Sequence, residues 1–155
     1  MPDTTKRQLD EGYSMDNEVT SFADSHPILL IGQSSLDDLN SRLLEALPIN
    51  RFRPNIVFTG GDAFEEDGMQ HFIINDISFY GMKLCARCMI PTINQDNALA
   101  AKEPLKTLAT YRMKNNNIYF GQNILYHGEG TISVGDTIHL KKRKFSESFY
   151  QPIDY

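Results

Sequence analysis

"HFIINDISFYGMKLC", residues 71–85, decides the fold. Two runs rich in β-branched and aromatic residues flank Asn75 and Asp76, side chains that favour a turn, so the pattern is that of a hairpin. Downstream, "IYFGQNILYHGEGTISVGDTIHL" (118–140) alternates short β-rich runs with "GEG" and "VGD", which predicts a meander of antiparallel strands. Upstream, "PILLI" (27–31) is a short apolar run of the buried-strand kind, and "NIVFT" (55–59) is a strand closed by Gly60 and Gly61. Helical patterning is confined to two places. "SSLDDLNSRLLEALP" (34–48) carries leucines at 36, 39, 43 and 47, with Ser35 as the expected N-cap, Asp37 and Asp38 in the first turn and Pro48 as the stop. "EPLKTLATYR" (103–112) starts with Pro104 in a first turn, places Leu105 and Leu108 on one face, and is ended by three asparagines at 115–117. The expected fold class is mainly β, a β-barrel or highly curved sheet with a few short helices.

With 155 residues, the chain is long enough to fold around one core without disulfides or a structural metal. Residues 1–18 are polar and aperiodic and are expected to be a flexible lead-in, 19–140 the folded domain, and 141–155 a basic tail. A formal charge of −5 argues against a general nucleic-acid binder. The first residues have no apolar core of the signal-peptide kind, two close cysteines make a poor secretory framework, and no apolar run approaches a membrane span. A cytoplasmic location is therefore expected. Lys141, Lys142, Arg143 and Lys144 run against the acidic balance, as a solvated strand end or as a docking surface for an acidic partner.

Both cysteines lie in "KLCARCMIPTI" (83–93). Four chemistries fit a Cys-x-x-Cys pair in a reducing compartment. Zinc would need two more ligands, and His26, His71, His127 and His139 show no pairing that completes a site. A thioredoxin-like pair belongs at a helix start within a β-α-β pattern, whereas this pair follows an expected strand. Two ordinary packed cysteines are the bland alternative. The last is a thiolate ligand for a metal carried by an organic cofactor. Arg87 and Lys83 favour an anion here, provided the backbone is irregular at Arg87 and Cys88, since neighbours on a regular strand face opposite ways. The same cations, with Arg51 and Arg53 of "RFRPN", could instead neutralise a phosphorylated cofactor.

"FADSHPILLIGQSSLDDLNSRL" (22–43), "RFRPNIVFTGGDAFEED" (51–67), "CARCMIPTI" (85–93), "EPLKTLATYR", "FGQN" (120–123) and "GTISVGDTI" (130–138) together resemble, in that order, the MOSC domain, the C-terminal domain of molybdenum cofactor sulfurases. The resemblance is closer to the mitochondrial amidoxime-reducing components and bacterial reductases of N-hydroxylated compounds. It implies a β-barrel, a molybdenum cofactor (molybdopterin), Cys88 as the metal ligand, and Arg53, Pro54, Asn55 and Arg87 as cofactor contacts. Lys83 and Thr92 join those contacts as expectations, and Cys85 is expected to pack. Oxygen removal consumes protons, so Asp67 of "FEED" is a candidate catalytic acid, with a plain turn carboxylate as the alternative; Glu65 and Glu66 are read as solvated. The implied substrate is a small N-hydroxylated compound. A separate electron donor of iron–sulfur or cytochrome type is the implied partner.

This sequence departs from that family at several points. It has no tryptophan, with Gly68 and Met69 after "EED", and the loop beyond the cysteines reads Pro91, Thr92, Ile93, Asn94. Pro91 removes a backbone donor and Asn94 a charge. Family members of this type carry an N-terminal β-rich subdomain before the "FAD" segment, so a fragment or a reduced form is expected. The competing functions are a non-catalytic carrier of the cofactor or of sulfur, and a relative without the cofactor.

Overall fold

The computed structural model describes residues 7–8, 19–20, 28–145 and 149. Most of the expectations for residues 1–18 and for those after 145 lie outside the described residues. A two-residue strand β1 (Arg7–Gln8) pairs antiparallel with β2 (Val19–Thr20). The remaining strands form one seven-stranded sheet that curls into half a barrel. They are β3 (Ile28–Gly32), β4 (Ile56–Phe58), β5 (Met69–Ile74), β6 (Ile77–Ala86), β7 (Met113–Lys114), β8 (Asn117–His127) and β9 (Ile138–Arg143). Their order is β4-β3-β8-β6-β5-β9, with β7 paired to β8.

The hairpin read from residues 71–85 is β5 and β6, joined through Asn75 at φ 52, a left-handed conformation that asparagine tolerates. The meander expected over 118–140 is not what forms. β8 is a single strand of 11 residues, "TISVGDT" makes no strand, and β9 crosses to pair with β5 rather than β8. Gly121 explains the length of β8. It sits at φ 82 where the pairing with β6 shifts register, and a Cβ there would press on Ile31 and the Leu30 carbonyl, so the strand bends instead of ending.

β3 and β4 are parallel, and α1 (Gln33–Ser41) makes the crossover between them. The helix differs from its sequence expectation at both ends. Gly32 occupies the N-cap, Ser35 is buried inside the first turn, and the helix stops at Ser41, well before Pro48. The second helix, α2, is Leu105–Ala109, preceded by Pro104.

Adjacent residues on β3 face opposite sides of the sheet. Leu30 joins a cluster with Phe72, Phe79 and Ile124 from the neighbouring strands, while Ile31 joins Leu36, Leu39, Phe52, Leu108 and Phe120 beneath the helices. Burying each such side chain fully is worth about 1.5–3 kcal/mol. Phe52 and Phe120, with ring centroids 4.4 Å apart, tie the 3-10 turn Ile49–Phe52 to the centre of β8. That turn carries the site.

Candidate functional site: a cysteine loop on an arginine turn

β6 ends at Ala86, so Arg87 and Cys88 leave the sheet and the irregular backbone required of them is present. The Arg87 amide donates to the Ile118 carbonyl at 2.7 Å, and a short 3-10 turn, Ile90–Thr92, follows. Both cysteines are free thiols; Cys88 is exposed and Cys85 half-buried.

Three bonds fasten this loop to the 49–52 turn. Arg87 donates from Nη2 to the Phe52 carbonyl at 2.9 Å, Arg51 donates from Nε to the Pro91 carbonyl at 3.1 Å, and Gln95 donates from Nε2 to the Asn50 carbonyl at 2.9 Å. Thr92 is buried and closes its own turn, its hydroxyl donating to the Met89 carbonyl at 2.6 Å. Cys88 therefore projects from a loop held on both sides by guanidinium groups. A guanidinium suits this work because its planar fork reaches carbonyls at fixed angles and keeps its charge when partly desolvated.

Cys88 and Thr92 thus lie on a loop bonded through Arg87 and Pro91 to the turn that Arg53 caps. Arg53 is its exposed C-cap at φ 54, an uncommon conformation for a residue with a side chain. Arg87 faces Cys85 rather than Cys88: Nη1 donates to the Cys85 sulfur at 3.1 Å, while Nε is buried without a partner. Asn55 exchanges bonds with β3, accepting from the Leu29 amide at 2.8 Å through Oδ1 and donating its own amide to the Leu29 carbonyl at 3.0 Å. It and Pro54 thereby lock the entry to β4. Lys83 lies on β6 opposite Asn123, beside the register shift that follows Gly81.

Asp67 stands apart from the turn, in a second polar centre. It lies in the 3-10 turn Glu65–Gly68 and accepts from Arg112 Nη2 at 2.7 Å, with the two side chains 3% and 5% exposed. Arg112 is sandwiched between the rings of Phe64 and Phe149, at 4.2 and 4.0 Å from their centroids. Burial pushes the Asp67 carboxyl up, against the opposing pull of Arg112, and its Oδ1 has no partner. Arg112 Nε also donates to the Tyr119 carbonyl at 3.1 Å, and Tyr119 pairs with Ala86 at the end of β6.

The expectation that Glu66 is solvated is wrong. It is 0% exposed, takes a 2.8 Å bond from the Ser35 hydroxyl, and burial pushes its carboxyl up to about 7. Ser35 in turn accepts from the Phe64 amide at 2.7 Å, so the residue expected to cap α1 instead joins the helix to the acidic turn. Glu65 pairs with Arg143. Oriented by its partners, the buried Gln122 amide donates to the carbonyls of Met69 and Glu66 and accepts from Lys144 Nζ at 2.6 Å. Lys141, Lys142 and Arg143 belong to β9, and Lys144 is drawn inward, donating to the Met82 carbonyl at 3.4 Å. Arg51, Arg112, Glu66 and Gln122 were not singled out as buried by the sequence, because a charged or amide residue in a polar run carries no sign of burial until a distant partner is known.

Among the described residues no three His, Cys, Asp or Glu side chains gather as a metal cage. The donor set is one exposed thiol on a loop bonded to the turn through Arg87 and Arg51. Residues 17–139 match the MOSC domain family. This chain is a MOSC domain. Human mitochondrial amidoxime-reducing component 1 is 36% identical over 129 residues, 77% of this chain and 38% of that relative. The mouse component 1 is 34% identical over 145 residues, covering 88% of this chain and 42% of the relative, and the rat component 2 is 34% identical over 145 residues, covering 88% and 43%. This MOSC domain thus spans about two-fifths of the length of the curated relatives it matches. No helix among its described residues is long and apolar enough to cross a membrane.

Proposed function

We propose that this domain binds a molybdenum cofactor through the Cys88 thiolate and is the catalytic part of a reductase of N-hydroxylated compounds such as amidoximes and hydroxylamines. The observation that carries the proposal is the exposed Cys88, on a loop that two arginines fasten to the turn capped by the exposed Arg53. A lone thiol cannot cage a bare ion, but it suits a metal already carried by an anionic organic ligand. The residues fit that group: Cys88 offers the sulfur, Arg53 an exposed cation, and Arg87 a buried Nε without a partner. Lys83, Thr92, Pro54 and Asn55 shape the surroundings. The relatives' name, amidoxime-reducing component, supports the substrate class.

When bound, the cofactor supplies the two-electron chemistry that removes oxygen from an N-hydroxyl group, with two protons consumed and water released. The protein holds, orients and neutralises. Asp67 is the residue we assign to proton supply: its carboxyl is raised by burial, one oxygen has no partner, and its Arg112 partner reaches the strand paired to Ala86. Electrons come from a separate iron–sulfur or cytochrome protein, for which the exposed Lys141 and Lys142 of β9 offer a basic docking edge. Free thiols at 85 and 88 suit a reducing compartment such as the cytoplasm.

Exposure of Cys88 also supports a second function, a carrier that delivers the cofactor or sulfur to another protein. The two are separated by supplying a reduced viologen dye and an aryl amidoxime to the chain purified from a host that makes the cofactor. Catalytic amidine formation, lost in Cys88→Ser, supports the reductase. Release of cofactor to an acceptor protein without turnover supports the carrier.

A further inference from the structure

The first arginine of "RFRPN" does not behave as a ligand-binding cation. Arg51 is 7% exposed, and its Nε is spent on the carbonyl of Pro91, 40 residues away. We infer that Arg51 is a positioning residue that fixes the orientation of the Cys88 loop. Upstream of Cys88, the loop is bonded through Arg87 to the Phe52 carbonyl; downstream, it is bonded through Pro91 to Arg51. Both bonds end on the same 3-10 turn, and Phe52 anchors that turn in the core against Phe120. Pro91 suits its place, since as the second residue of the 90–92 turn it has a fixed φ and needs no amide partner, leaving its carbonyl to receive Arg51.

Besides these attachments to the turn, the Thr92 carbonyl accepts from the Ala101 amide at 2.9 Å and Ile93 bridges Ala100, contacts with the following segment that leave the loop's seat on the turn to the side-chain bonds. Met89, Ile90 and Ile93 are exposed, and the bonds Thr92 N to Met89 O and Ile93 N to Ile90 O are internal to the turn. Without Arg51, the turn keeps its internal bonds but loses its downstream attachment to the platform, with Gln95 as the next bond along. Lysine is no substitute, because a single ammonium at the end of a flexible stem cannot donate from the Nε position.

The test is hydrogen–deuterium exchange on the metal-free full chain, read on peptides covering 88–95 and 118–127, for wild type, Arg51→Met and Arg51→Lys. Loss of one hydrogen bond from a charged donor predicts exchange about tenfold faster at 88–95 in both variants, with 118–127 unchanged. Equal acceleration in both peptides would mean that Arg51 merely supports the core, and no change at 88–95 would mean that it holds nothing; either result overturns the inference. The consequence for cofactor binding rests on the reading of Cys88 given above and is measured separately, as molybdenum retained through gel filtration. If the loop loosens while wild type itself holds no molybdenum, positioning by Arg51 stands and the cofactor reading falls. If wild type holds metal and both variants retain it equally, positioning for the cofactor is overturned.

Discussion

Arg87 reaches across 35 positions of sequence to donate from Nη2 to the Phe52 carbonyl, and from Nη1 it donates to the Cys85 sulfur. One guanidinium thus joins the first cysteine of the pair to the turn on which the second depends. Cys85, expected only to pack, is an acceptor that fixes the arginine. Arg87→Met is expected to cost about 1.5–3 kcal/mol of unfolding free energy, the range for hydrogen bonds from a charged donor. Cys85→Ser, which keeps an acceptor, should cost less. A urea titration of the two variants checks the order, and an equal or reversed loss would count against the Arg87–Cys85 bond.

The Asp67–Arg112 pair is the costliest interaction to break by halves. Removing Arg112 leaves a buried carboxylate without its cation, a change worth about 3–5 kcal/mol. Because burial already raises the Asp67 carboxyl, Arg112→Met should raise it further and be tolerated better at low pH than at neutral pH. The double variant Asp67→Asn, Arg112→Met should lose less than the two single losses added. Additive losses in the urea midpoint would contradict a direct pair.

The sequence made the hairpin at 71–85, the β3 run and both helices legible, because each is signalled by periodicity or by neighbouring residues. It misled where long-range geometry decides. The run after "VGD" reads as the continuation of a meander but pairs with β5, and Ser35 looks like a cap but serves Glu66 and Phe64 instead. The site divides the same way. Cys88 and the basic motifs could be found in sequence, whereas the difference between Arg51, turned inward to Pro91, and Arg53, turned outward, depends on a contact 40 residues away. The parallel pairing of β3 with β4 was equally hidden, since no local signal records which edge a returning strand joins.

Glu66 makes stability depend on pH. Its folded pKa of about 7 lies above the ordinary 4.5, so the folded state holds the proton more tightly, and the stability present below the unfolded value is lost as pH rises through about 7. The difference corresponds to about 3 kcal/mol. Glu66→Gln keeps an acceptor for Ser35 and removes the charge. Unfolding free energies measured at pH 5 and pH 8 should therefore fall less for the variant, and parallel declines would show that Glu66 does not titrate in this window.

Gly81 is required by close approach. A Cβ there would run into the Met69 carbonyl and the Gln122 amide, which itself carries bonds to Glu66 and Lys144. Gly81→Ala should cost about 1–3 kcal/mol through overpacking and displacement of Gln122. Thermal unfolding reads this directly, and a variant as stable as wild type would mean that the strands part without penalty.

The role proposed for Cys88 is that of protein ligand to a molybdenum cofactor. Its most direct test is the molybdenum and pterin content of the chain purified from a cofactor-producing host, beside Cys88→Ser and Cys85→Ser. We predict stoichiometric molybdenum in wild type, retention in Cys85→Ser, and loss in Cys88→Ser with the fold intact by circular dichroism. Molybdenum retained by Cys88→Ser, or absent from a folded wild type, would contradict it.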